Sequence, residues 1–135
     1  MNAPSFLAAS LYVALGGGLG AWLRYLTAVA WSRAIGPAAA GAYPWATLSV
    51  NAVGSLLMGL LTGWLLRHGS QSEGWRLLLG VGVLGGFTTF SAFSLELVQI
   101  IERGLFGSAL IYIALSLLLG VAALFAGLAI IRVAA

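Results

Sequence analysis

"GGFTTFSAFS", residues 85–94, interrupts an apolar run that extends from about residue 75 to about residue 101. A straight helix needs only about 20 residues to cross a hydrocarbon core, so this run is long for one. Two glycines and two threonines fall near its middle, where helix propensity is poor. Non-helical backbone at membrane depth persists only when it is buried in protein or lines a wet cavity. The stretch therefore predicts a membrane helix broken mid-span, and unwound carbonyls at such a break can bind a cation.

The surrounding composition fits a membrane interior. Of 135 residues, 61% are hydrophobic and 7% are charged. A soluble domain carries about a quarter charged residues, so this chain has too little polar surface to face water. The class expected is an all-α integral membrane protein of one domain, residues 1–135, in contact with the lipid bilayer. Without cysteine there is no disulfide, thiolate metal site or cysteine nucleophile. One histidine, His68, excludes a multi-histidine metal site and reads as a solvated loop residue. The arginines are scattered singly, which is not a nucleic-acid footprint. The N-terminus lacks a basic segment and runs straight into a full-length span, so no cleaved signal peptide is expected.

Working outward from the break, four spans are expected, at about 6–30, 45–66, 75–101 and 105–133. Trp31, Trp45, Trp64 and Trp75 fall near their ends, as an interfacial belt requires. With four spans, Arg67, Arg76 and Arg132 lie on the side of the termini, and Arg24, Arg33 and Arg103 on or near the other. An excess of basic residues normally sets orientation, and none exists here. Either a small bias decides the topology, or the chain inserts both ways and pairs as an antiparallel dimer. Four short helices enclose little, which favours an oligomer. Glycines at 16–20, with the series Ser55, Gly59, Gly63, place small residues four apart for close helix packing.

Polar side chains inside a membrane need a partner or a function. Arg24, Asn51, Glu96 and Tyr112 converge in the membrane half away from the termini, as a vestibule toward the break. Arg24 and Glu96 either neutralise each other, snorkel, or act separately: Arg24 by concentrating anions, Glu96 by orienting a donor. Asn51 offers an amide with two donors and one acceptor. Ser108, Tyr112 and Ser116, with Gly120 next, lie four apart on one face of the fourth span and suggest a polar track. If a twofold axis joined two breaks, paired carbonyls would form a four-oxygen cage suited to a hard cation such as sodium. Phe90 and Phe93 share a helix face. Such pairs usually pack, but the electropositive phenyl edge can also solvate an anion weakly.

Three segments, "GGFTTFSAFSLE" (85–96), "TLSVNAVGSLLMG" (47–59) and "GGGLGAWLRY" (16–25), resemble the signature segments of the Fluc/CrcB fluoride channels in order and spacing. The resemblance implies a passive, fluoride-specific channel, not an enzyme. It also implies an antiparallel dual-topology homodimer in the cell inner membrane that exports cytoplasmic fluoride and confers fluoride resistance. By the same resemblance, a structural, untransported sodium ion sits on the carbonyls of Gly85 and Thr88. Phe90, Phe93, Asn51, Tyr112 and Ser116 would line the fluoride path, with Arg24, Glu96, Thr89 and Ser91 at the vestibule or in support. Gly120 stands where some members carry a further hydroxyl, and Phe87 where a smaller aliphatic is common. The alternative, a small multidrug-type proton-coupled cation antiporter, needs an acid in the first span, and this first span has none.

Overall fold

The computed structural model describes residues 4–68 and 73–133, and among them there is no strand. Four helical stretches are long and apolar enough to cross a membrane: Phe6–Ile35, Trp45–Arg67, Glu73–Glu102 and Phe106–Val133. Their apolar side chains face outward. In the most apolar window of the fourth, only 6% of residues are buried. Such a surface needs apolar surroundings, and the chain is a multi-pass membrane protein. The expected loop between the second and third spans falls partly on residues 69–72, outside the described residues, as does the side chain of His68.

Helix α1 (Phe6–Ile35) is capped by Ser5, whose hydroxyl accepts from the Ala8 N–H at 3.3 Å. It stops at Gly36, whose φ of +83° no ordinary side chain favours, and Pro37 opens the short helix α2 (Pro37–Ala42). An extended Tyr43 leads into α3 (Trp45–His68). At this joint Trp31 donates to the Ser49 hydroxyl at 3.1 Å and stacks on Trp45 at 5.9 Å. The third stretch is composite. A short α4 (Glu73–Trp75) leads into a π-helical segment, Arg76–Leu84, and a single turn, α5 (Gly85–Phe87). The Gly85 N–H reaches back five residues to the Gly80 carbonyl, as a π-helix requires. Thr88 and Thr89 are extended, and α6 (Phe90–Glu102) follows. The glycine pair expected at the break thus stays helical, and the two threonines carry the extended backbone. A turn at Gly104 leads to α7 (Phe106–Val133).

Glycine sets the packing. A Cβ on Gly16 would overlap the Leu78 carbonyl, one on Gly20 the Val83 carbonyl, and one on Gly86 the Gly17 carbonyl. α1 therefore lies parallel to the 76–87 segment, backbone against backbone. Gly59 and Gly127 do the same for α3 and α7, facing the carbonyls of Leu124 and Leu56, while Gly63 faces the Ile131 side chain. Gly59 lies against Gly127 and Gly63 against Ile131, four residues further along both helices, so α3 and α7 also run parallel. Large buried side chains are few: Leu48, Ile100 and Tyr112 form one cluster where α3, α6 and α7 meet.

Candidate functional site

Asn51 and Thr89 form the centre of the site. The Thr89 N–H donates to Asn51 Oδ1 at 2.9 Å, and Asn51 Nδ2 donates to the Thr89 carbonyl at 3.1 Å. The amide satisfies both backbone groups as a neighbouring strand would, which is why Thr89 can leave the helix at a buried position. The Thr89 hydroxyl then accepts from the Ala92 N–H at 3.2 Å and caps α6, with Ser91 Oγ 3.3 Å away. Thr88 closes α5 instead: its N–H and hydroxyl both donate to the Leu84 carbonyl, at 3.0 and 2.8 Å. Its methyl lies where a side chain on Gly54 would be, so Gly54 makes room for the turn.

This arrangement has a consequence for two carbonyls. In a continuous helix the Thr89 N–H would close on the Gly85 carbonyl, and the Ala92 N–H on the Thr88 carbonyl. Both donors are engaged elsewhere, by Asn51 Oδ1 and by Thr89 Oγ1. Gly85 is also exposed in the single chain. Among the described residues no group of three or more acidic or histidine side chains could hold a metal ion.

Aromatic rings lead away from the turn. Phe90 is 79% exposed, and its ring centroid lies 5.7 Å from that of Phe93. Phe93 lies 5.0 Å from the fully buried Tyr112, and Tyr112 lies 5.7 Å edge-on from Tyr43. Glu96 holds this end together, accepting from the Tyr112 hydroxyl and from the Thr47 hydroxyl, each at 2.7 Å. No ion pair joins Glu96 to Arg24 among the described residues; the pair present is Arg76 with Glu73, at 2.7 Å. Mutual neutralisation of Arg24 and Glu96 is therefore replaced by two hydroxyl donors, and Arg24 does not line the cavity around Asn51. That cavity, about 280 Å³, is lined by Asn51, Ser55, Thr88, Thr89 and Phe90 among others.

Two enclosed hydroxyls, on Ser116 and Tyr43, have no hydrogen-bond partner. Burial raises the Tyr43 phenol above its ordinary range, so it stays protonated and able to donate at neutral pH. Thr47, Gly54 and Tyr43 were not singled out from sequence. Thr47 carried a usable signal, because it lies one turn before Asn51 on the same face of α3.

Residues 11–128 match the family described as CrcB-like protein, Camphor Resistance (CrcB). A fluoride-specific ion channel FluC from Novosphingobium aromaticivorans is 52% identical over 126 residues, covering 93% of this chain and 98% of that protein. The FluC protein of Caulobacter sp. (strain K31) is 54% identical over 123 residues, 90% of this chain and 93% of its own. That of Rhodospirillum centenum is 52% identical over 124 residues, 92% and 95% respectively.

Proposed function

The chain belongs to the CrcB-like family, and from that premise we propose that it is a passive, fluoride-specific channel rather than an enzyme. The row Phe90, Phe93, Tyr112 carries this reading, because it runs from an exposed ring to a buried hydroxyl cluster. Ring edges give an anion partial positive charge without a full countercharge, which suits entry and release alike. The enclosed Ser116 hydroxyl beyond them offers a free donor. Asn51 contributes by holding the extended backbone, while Arg24, on α1, raises the local anion concentration near the membrane surface.

The working unit is an antiparallel homodimer in the cell inner membrane. Its support is the even division of arginines between the two sides and the Gly85 carbonyl left without its helical donor on an exposed residue. Thr88 and Thr89 lie near mid-membrane in this reading, halfway along the 73–102 stretch. The carbonyls of Gly85 and Thr88, freed of their helical donors, suit a sodium ion shared between the two copies. A hard cation there would fix the centre of the dimer and would not be carried. Fluoride leaves the cytoplasm down its own gradient, since the neutral acid crosses membranes and ionises inside. The antiporter alternative has no acid in α1 to work with.

Purified protein in liposomes loaded with fluoride or chloride tests the proposal. Fluoride should leave far faster than chloride, at a rate indifferent to an imposed pH gradient. Equal chloride efflux, or strict dependence on that gradient, defeats it.

A further inference from the structure

We propose that Ser55, on α3, supplies the hydroxyl that the polar track on α7 lacks at Gly120. The inference rests on the channel reading and extends it to a residue to which that reading gives no role. The two parallel helices hold one register. Thr47 lies level with Tyr112, because both donate to Glu96, and eight residues further along each helix Ser55 faces Gly120. That register puts Asn51 level with Ser116. A Cβ built on Gly120 stands 3.6 Å from Ser55 Oγ, so the absent side chain of one helix faces the hydroxyl of the other.

The supply of donors gives this meaning. The Tyr112 hydroxyl is committed to Glu96, and Asn51 gives its amide oxygen and one of its two N–H groups to Thr89. Ser116 is enclosed without a partner. Among the described residues no hydrogen bond engages the Ser55 hydroxyl. Ser55 also lines the cavity that holds Asn51, Thr89 and Phe90. An anion shedding water needs each lost hydrogen bond replaced, since an unmatched polar group in a low-dielectric interior is costly. Ser116 and Ser55, one helical turn apart in level but on two helices, form consecutive free donors. α7 alone, with glycine at 120, would end the series at Ser116.

Fluoride efflux from liposomes, with assembly checked by size-exclusion elution, tests this with wild type, Ser55→Ala, Ser55→Thr and the pair Ser55→Ala with Gly120→Ser. Ser55→Ala should slow efflux about fivefold, the worth of one ordinary hydrogen bond. Ser55→Thr keeps the hydroxyl and should stay within about twofold of wild type. The double variant returns a hydroxyl from the other helix and should recover most of the lost rate. Ser55→Gly replaces Ser55→Ala should the latter fail to assemble. Wild-type efflux in Ser55→Ala overturns the inference. So does a correctly assembled double variant as slow as the single one, which would mean that Ser55 only packs. Wild-type vesicles that retain fluoride overturn the channel reading itself, a failure visible before any variant is compared.

Discussion

Replacing Asn51 by Asp removes both amide N–H groups and alters almost nothing in size. The two hydrogen bonds between Asn51 and Thr89 then respond differently. The carboxylate can still accept from the Thr89 N–H, but its second oxygen now faces the Thr89 carbonyl, where an N–H had donated. One hydrogen bond, worth about 1 kcal/mol, becomes a repulsive contact between two acceptors, and an unmatched buried polar group adds about 1–3 kcal/mol. A loss of about 2–4 kcal/mol is directed at the extended Thr88–Thr89 backbone. At about 1.4 kcal/mol per tenfold, that disfavours the arrangement by roughly thirtyfold or more. The helices themselves pack through glycines far along α3 and α7 and should hold. Liposome fluoride efflux should therefore fall by more than tenfold, while the protein still elutes as the wild-type assembly and melts a few degrees lower. Asn51→Ala, which loses both bonds, should be worse on both measures. Wild-type efflux in Asn51→Asp would show that the amide does not hold the conduction geometry.

Other substitutions separate the remaining parts. Phe93→Ile stays apolar but loses the ring beside Tyr112, so efflux should drop by about tenfold or more with unchanged elution; unchanged efflux would remove the ring from the path. Glu96→Gln leaves one acceptor for two hydroxyls, and the thermal midpoint should fall by an amount equivalent to about 1–2 kcal/mol; an unaltered melt would mean the cluster carries no stability. Gly59→Ala puts a methyl into the Leu124 carbonyl, so the yield of folded protein should collapse, and normal yield would refute backbone contact between α3 and α7. Replacing sodium by N-methylglucammonium during purification should lower the melting temperature of the assembly without altering that of a monomeric fraction; an identical melt in both salts would leave the carbonyl site without a cation.

The limits of the long helices were readable because hydropathy reports the solvent directly, and lipid-facing side chains dominate every stretch. The extended residues were harder to place. Gly85–Gly86 and Thr88–Thr89 both read as weak points, yet only the threonines leave the helix, and Gly86 is glycine because the Gly17 backbone lies against it. Thr88 and Thr89 leave the helix because Asn51, far away in sequence, takes over the Thr89 backbone groups. No local propensity carries that information. Of the two readings of Glu96, pairing with Arg24 fails and orienting a neighbouring donor fits, but a carboxylate between α3, α6 and α7 meets the hydroxyls those helices present, and only their register names them as Thr47 and Tyr112.

Backbone chemistry, more than apolar area, supports the proposed second copy. Lipid accepts the outward leucines of α7 at no cost, so exposure of apolar side chains alone asks for no partner. The Gly85 carbonyl is different. Its helical donor is turned toward Asn51, it belongs to an exposed residue, and hydrocarbon has no hydrogen to offer it. Phe90 stands exposed on the other side of the same turn. A copy inserted the other way up would meet this turn with its own, placing like carbonyls on a common axis where a cation can satisfy them together. Such a copy exists only if the chain tolerates both orientations, and arginines divided evenly between the two sides allow it. In the proposed dimer the turn at Thr88 and the unbiased charge are parts of one requirement, and a substitution that gave the loops a strong positive bias should cost the proposed cation site as surely as one that straightened the helix.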